Sequence, residues 1–243
     1  MGKYFTKTVK PVVTASLQAG STMASGDVLF DWASFDIPRG SNKLIGLTVL
    51  LRGTNGVRQE KAIDFYFAKS IAGVAPGSLG TLSATADGAR YQNHLIGAAH
   101  IDTTDFKDSL DIMSVASTGY GGGNAQTPSM ILEGDINTGT NVGYDKIYIA
   151  ALAGGALDFR STVQVSTETA TSTAAVVVKT TSALINFAVG DVLHDEDDLV
   201  IGTIKTVTDA TNLVLEENCA SVSAVNKDLY NINPVTVIMN FER

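Results

Sequence analysis

Histidines, a single cysteine and clustered carboxylates are the side chains of this sequence that could catalyse a reaction or bind a metal ion. The histidines are His94, His100 and His194, and none has another histidine or the cysteine two to four residues away. Zinc sites commonly use such pairs. No Gly-x-Ser-x-Gly turn offers a serine nucleophile. We therefore predict that the protein is not an enzyme and has no catalytic residue, no metal site and no cofactor.

Four consecutive carboxylates, from Asp195 to Asp198, could together bind calcium, a hard cation that prefers oxygen ligands. A calcium loop, however, places its ligands at alternate positions around a glycine and ends on a distal glutamate, and this run lacks that spacing. Asp is also a common turn residue because its side chain bonds to nearby backbone groups. The pattern therefore favours the solvated tip of a hairpin.

Three glycines in a row, Gly121 to Gly123, could cradle a phosphate group. A phosphate-binding loop needs Lys followed by Ser or Thr at the start of the next helix, whereas Asn124 and Ala125 follow here. The segment is therefore predicted to be a mobile loop.

Aromatic side chains could form a platform for a sugar ring, and Phe30, Trp32, Tyr66 and Tyr148 are the candidates. Strand alternation would place Phe30 and Trp32 on one face together with other apolar residues. We therefore predict that these two aromatic residues belong to the core.

Composition argues against several classes of partner. Only 17% of the residues are charged, compared with about 25% in typical soluble domains, which fits a surface partly covered by partners. The net charge is −8, and residues 162–231 hold ten acidic and three basic residues, a charge of −7. Such a segment would repel nucleic-acid phosphates. No apolar run is long enough for a membrane helix, so we predict neither a nucleic-acid nor a membrane partner.

Cys219 is the only cysteine, so no disulfide can form within the chain. Residues 1–13 lack the uninterrupted apolar stretch of a secretory signal. We therefore expect a protein that stays in a cytoplasm or is packed into a particle assembled there.

Alternating apolar and polar residues predict an all-β fold, and the expected architecture is a β-sandwich, with a jelly-roll-like arrangement as one form of it. Hairpins are predicted at Asn55-Gly56 and at Gly154-Gly155, between runs that alternate on either side. The sequence from Thr104 to Ser117 predicts the one helix, with Thr104 as its N-cap. Strands are expected near 27–37, 44–51, 61–69, 130–136, 146–152, 157–165 and 235–241.

The chain is predicted to have three parts. Residues 1–26 form an extended N-terminal arm that contacts other chains, and its lysines either dock that arm onto an acidic neighbour or nucleic acid, or only solubilise it. Residues 27–165 and 235–243 form the sandwich. A small acidic β-barrel-like module at 167–231 is inserted before the last strand, between linkers at Ser166–Thr173 and Asn231–Pro234.

Residues 189–219 carry a recognisable order of turns and strands. Gly190-Asp191 opens the segment, Asp195–Asp198 make a first reversal and Asp209–Asn212 a second, with Ile201-Gly202-Thr203 between them. This order resembles the small β-modules of structural proteins in tailed-bacteriophage particles. The resemblance implies a structural virion component, above all a capsid decoration or cement protein that stabilises the head shell. It implies the major capsid protein and copies of the same chain as partners, and a virion assembled in the host bacterial cytoplasm.

Other functions stay open from the sequence. A head-fibre or tail structural protein is the alternative within particles, and a carbohydrate-binding or adhesin module is the alternative from another class. A hydrolase is a more distant third. Aromatic residues exposed on one concave face would indicate a binding module, and His94 or His100 in a cleft beside a carboxylate would indicate an enzyme.

Overall fold

The computed structural model describes residues 4–20, 22–52, 57–82, 84–86, 91–107, 113–118, 128–135, 145–179 and 183–243. These residues form fifteen strands and two short α-helices, α1 (Ala15–Gly20) and α2 (Ala183–Asn186). The strands are β1 (Tyr4–Val9), β2 (Val28–Asp36), β3 (Asn42–Arg52), β4 (Ile63–Ala68), β5 (Leu95–Ile101), β6 (Phe106–Lys107), β7 (Met113–Ser117), β8 (Met130–Leu132), β9 (Lys146–Ala153), β10 (Ala175–Val177), β11 (Val192–Asp195), β12 (Val200–Val207), β13 (Asn212–Leu215), β14 (Leu229–Asn231) and β15 (Val235–Glu242). No helix among the described residues is long and apolar enough to cross a membrane.

Two antiparallel sheets form a β-sandwich, as the alternation of the sequence predicts. One sheet has the order β1-β15-β3-β7-β6, with β8 also paired to β3, and the other has the order β2-β9-β4-β5. Their inner faces share one core, because alternate residues of every long strand point between the sheets. Its largest fully buried members include Phe30, Phe65 and Phe67 from the four-stranded sheet and Phe241, Leu47 and Leu51 from the six-stranded sheet.

The last strand, β15, lies inside the six-stranded sheet and not at its edge. It pairs antiparallel with β1 on one side and with β3 on the other. Its four alternate apolar side chains are all fully buried: Val235, Val237, Met239 and Phe241. The prediction that this strand returns to the first domain is therefore confirmed.

A third sheet, with the order β10-β13-β12-β11-β14, forms a module with its own apolar core. No closed barrel of strands forms among its described residues. Instead, residues 163–166 hydrogen-bond to 177–179 on one side and to 226–229 on the other, so that short bridges connect the two outer strands. Val163 and Val165 are fully buried in the module core. The segment Ser166–Thr173, expected to be a linker, also packs on the module, since the Thr169 hydroxyl donates to the Ser221 carbonyl.

The N-terminal segment is not the extended arm that the sequence predicts. β1 pairs with β15 over its whole length, from Tyr4 opposite Glu242 to Val9 opposite Val237. Val13, Ala15 and Met23 are buried. The sequence misleads here because an edge strand that buries only one side has few apolar residues.

Three other local predictions are wrong. The helix expected over 104–117 is a 3-10 turn at Thr103–Asp105, capped by Asp102 and followed by β6, with β7 over its last residues. The hairpin expected around Asn55-Gly56 does not form, because β3 and β4 belong to different sheets. The turn itself lies outside the described residues. The return strand expected at 157–165 is reduced to isolated bridges, such as that between Met23 and Leu157.

Candidate interaction surface

The outer face of the six-stranded sheet presents a broad set of exposed and half-exposed side chains. Since the odd-numbered residues 235–241 of β15 point into the core, the even-numbered residues point outward. The pairing register then shows which residues of β1, β3 and β7 lie beside them on the same face. Row by row, this face consists of Thr6, Asn240 and Gly46; Thr8, Ile238, Thr48 and Ser117; and Thr236, Leu50, Val115 and Lys107.

Charge is confined to the rim of this face. At one end Lys43 lies opposite Glu242, at the other end lies Arg52, and Lys107 lies on the edge strand β6. Between them, hydroxyl and amide groups bond to each other across the strands, as Thr6 does with Asn240 at 3.0 Å and Thr48 with Ser117 at 2.7 Å. Since these polar groups already have partners, a protein surface could cover them at a small desolvation cost. The centre of the face is thus suited to contact with another protein.

A cleft of about 210 Å³ lies where the module meets this face. Leu50, Met113 and Thr236 of the outer face line it on one side, and module residues 188–191 line it on the other. Val189 is 67% exposed at this position. The face therefore continues onto the module through an apolar side chain.

An ion pair crosses the same junction. A guanidinium nitrogen of Arg52 lies 3.3 Å from a carboxylate oxygen of Asp191. Burial raises the pKa of Asp191, although the positive charge of Arg52 acts in the opposite direction. The Asp191 carboxylate also accepts the backbone N–H of Ala188 at 2.8 Å, which fixes the turn that carries Val189.

The N-terminal segment connects the module to the sandwich through polar contacts. Asp198 accepts the backbone N–H groups of Ala15 and Ser16 at the start of α1. The Gln18 amide donates to the carbonyls of Val13 and Asn231 at 2.7 and 2.8 Å. Together these bonds hold the module against the sandwich, which sets the position of the cleft.

The four consecutive carboxylates of the module each have a protein partner. Asp195 is 1% exposed and accepts bonds from the Asp197 and Leu199 N–H groups and from the Ser223 hydroxyl. Glu196 and Asp197 both contact the Lys227 ammonium, at 2.7 and 2.9 Å, and these bonds raise the pKa of Lys227. The segment forms the turn between β11 and β12, but it is partly buried and not merely a solvated tip. No group of three potential metal ligands occurs among the described residues.

The histidines lie apart from one another. His94 contacts the Lys69 carbonyl at 2.9 Å through Nδ1, and His194 is buried in the module, where burial lowers its pKa. His100 lies beside Asp64 at 2.6 Å, and this hydrogen bond raises the pKa of His100. About half of the His100 side chain is exposed, on the outer face of the four-stranded sheet. A histidine beside a carboxylate is thus present, on an open sheet face.

The remaining candidates divide between the core and solvent. Cys219 is buried in the module, and burial raises the pKa of its thiol. Phe30 is buried in the sandwich core, as predicted, but Trp32 is not, because a bulge between Phe30 and Ala33 turns it to the outer face. Gly121–Gly123 and Lys3 lie outside the described residues.

Sequence reasoning missed the outer face of the six-stranded sheet. Its signal was present in β15, where Thr236, Ile238 and Asn240 alternate with the four buried residues and none of the three is charged. A polar outward side is expected of any half-solvated strand, but depletion of charge is typical of the centre of an interface. Uncharged polar residues on the outward side were therefore the informative feature.

Comparisons with known proteins give little further information. No family model and no curated protein matches the sequence. Among solved structures, the chain is similar to the VP2 subviral particle of infectious bursal disease virus, with 12% identity and a TM-score of 0.21. The alignment covers 99% of this chain and 41% of that one. At this level the likeness carries no argument about fold or function.

Proposed function

We propose that this protein is a structural component of a tailed-phage virion, most specifically a capsid decoration or cement protein that binds its neighbours through the outer face of the six-stranded sheet. The observation that carries the proposal is the uncharged centre of that face between charged ends. Interfaces are depleted of charge at their centres and polar at their rims. The proposed partners are the major capsid protein and further copies of this chain.

The outer face of the sheet is smaller than the area that a stable protein–protein interface buries. Five strands about 4.8 Å apart, of two to eleven residues each, give a plan area of roughly 500 Å² at about 3.3 Å per residue. A stable interface buries about 800 Å² on each partner. The contact must therefore extend beyond the sheet, and the adjoining module turn at Val189 offers the nearest apolar surface.

The arrangement of the described residues also favours a structural role over catalysis. His100 and Asp64 lie on an open sheet face, where water is not excluded from the pair. In the other carboxylate-rich segment, Asp195 is buried and its carboxylate is used in structural hydrogen bonds. We therefore assign no reaction to the chain.

The test is to look for the protein on particles. Mass spectrometry and immunogold labelling of purified particles, from cells that carry the gene, should find the protein in many copies on the head. Its presence only in the soluble fraction of the lysate would overturn the proposal. Labelling confined to the tail or to fibres would show that the protein is a tail or head-fibre component and not a decoration protein.

A further inference from the structure

The outer face of the four-stranded sheet differs in chemistry from the face on the opposite side of the sandwich. In β4 and β9 the side chains of Asp64, Tyr66, Tyr148 and Leu152 point away from the core, because Phe65, Phe67, Ile147 and Ile149 point into it. Three aromatic residues share this outer face: Trp32, Tyr66 and Tyr148. All three are half-buried, so part of each ring reaches solvent.

Small residues separate the aromatic rings. Tyr66 lies opposite Ala150 on β9 and opposite Ala98 on β5, while Tyr148 lies opposite Ala68. Tyr66 and Tyr148 are therefore diagonal neighbours on adjacent strands, a relationship that places backbone positions about 7–8 Å apart. Ala68 and Ala150 are fully buried, and Ala98 is exposed, so a ligand would rest on the rings themselves and on Ala98. Rings at this spacing form a shallow platform that one ligand can cover.

Trp32 is held in a fixed orientation at one side of the platform. The Trp32 indole N–H donates to the Gly77 carbonyl at 2.9 Å, and its ring packs edge-on against Tyr91, with centroids 5.6 Å apart. Leu79 and Tyr91 are buried against the same patch. A pre-organised aromatic side chain loses little conformational entropy when a ligand binds.

Hydrogen-bonding groups flank the rings on both sides. The His100–Asp64 pair lies diagonal to Tyr66, with Asp102 3.7 Å from the other nitrogen of His100. On the other side Ser34 lies opposite Tyr148, and the next pair along is Asp36 with Lys146, joined at 2.7 Å. A saccharide has apolar C–H faces that stack on aromatic rings and hydroxyl groups that bond to such donors and acceptors.

We infer that this aromatic platform binds a neutral saccharide. The charged groups around the platform indicate which kind of saccharide it binds. Three carboxylates surround it, Asp36, Asp64 and Asp102, beside one lysine and one histidine. This excess of carboxylates disfavours sugars that carry acidic groups. Because the two sheets of a sandwich point their outer faces in opposite directions, a chain held by the six-stranded sheet would present the platform outward. The inference concerns a different face from the proposed function and stands independently of it.

The experiment applies the purified full-length protein to an array of neutral bacterial, plant and animal oligosaccharides. The best-retained oligosaccharide is then titrated by isothermal calorimetry. Binding by the native protein, weakened at least tenfold by Tyr66→Ala and by Tyr148→Ala, is the expected result. Tyr66→Phe keeps the ring and should bind within about threefold of the native protein.

Tyr4→Ala is the matched control, since Tyr4 is 61% exposed and belongs to the other sheet. This variant should bind like the native protein, and all variants should show the native melting temperature within a few degrees. Retention of no neutral oligosaccharide would overturn the inference, as would binding by both alanine variants as tight as that of the native protein. Particle association of Tyr66→Ala, measured separately, should be unchanged, so that failure of sugar binding and failure of the proposed function are distinguishable.

Discussion

The carboxylate of Asp198 in the module accepts the backbone N–H of Ala15 at the start of α1, although the two residues are 183 positions apart. Asp198 adopts a left-handed conformation, with φ of 62°, which directs its side chain from the β11–β12 turn to the N-terminal segment. The bond satisfies a donor at the helix start, which has no partner within the helix. An acidic residue that the sequence assigns to a solvated hairpin tip is therefore part of the attachment between module and sandwich.

Asp198→Gly should lower the free energy of unfolding by about 2 kcal/mol, because a hydrogen bond to a charged group is lost while the left-handed backbone is retained. Chemical denaturation with urea measures this change. Asn226→Gly is the control, because Asn226 also has a positive φ, of 74°, and lies in the module. If both glycine variants lost the same stability, the Asp198 contact would have no special role.

Phe241→Ala should destabilise the sandwich by about 3–5 kcal/mol. Phe241 is fully buried, stacks on Phe5 with ring centroids 5.0 Å apart, and lies in the strand between β1 and β3. On the same strand, Ile238→Ala should cost only about 1 kcal/mol, because Ile238 faces outward and is half-exposed. Thermal melting of both variants compares the two faces of β15, and similar losses would show that the inward and outward assignments are wrong.

His100 should titrate above its ordinary pKa of about 6.5, because the Asp64 carboxylate stabilises its protonated form. A folded pKa above the unfolded one means that this contribution to stability is fully present below pH 6.5 and disappears as the pH rises through the folded value. NMR titration of the His100 ring protons measures the midpoint. Asp64→Asn should lower that midpoint, whereas Asp36→Asn, which removes the partner of Lys146, should leave it within about 0.2 units.

His194 should behave in the opposite way. Burial lowers its pKa, and its Nδ1 has no hydrogen-bond partner. Since the unfolded chain binds the proton more readily, stability should fall as the pH falls below about 6.5, until the folded pKa is reached. Melting temperatures between pH 7.5 and pH 5 test this, and His194→Gln should flatten that part of the profile. A native profile that is already flat over this range would contradict the buried neutral state.

The sequence was informative where one periodicity extended over a whole strand. Val235, Val237, Met239 and Phe241 alternate without interruption, so both the strand and its buried face followed from the pattern. Trp32 was misplaced because the bulge before Ala33 shifts the alternation within β2, and no residue there marks its position. The hairpin at Asn55-Gly56 failed for a different reason: a turn signal is local, whereas β3 finds its partners among strands distant in sequence.

The acidic run shows a similar limit. Asp195 to Asp198 were correctly placed in a turn between strands, but their partners come from two distant segments: Ser223 and Lys227 from the β13–β14 connection, and Ala15 from α1. Sequence spacing contains no information on such contacts. The outer face of the six-stranded sheet likewise needed the pairing register before its uncharged rows could be recognised.

The central claim is that the outer face of the six-stranded sheet binds the protein to its particle. The most direct measurement is the copy number per particle of Leu50→Lys and Ile238→Lys variants, determined by quantitative mass spectrometry of purified particles. Val214→Lys is the control, since Val214 is an exposed valine on β13 of the module and does not belong to this face. We predict at least a tenfold loss of bound protein for the two sheet variants, with melting temperatures near native, and native occupancy for the control. Native occupancy for both sheet variants would contradict the account.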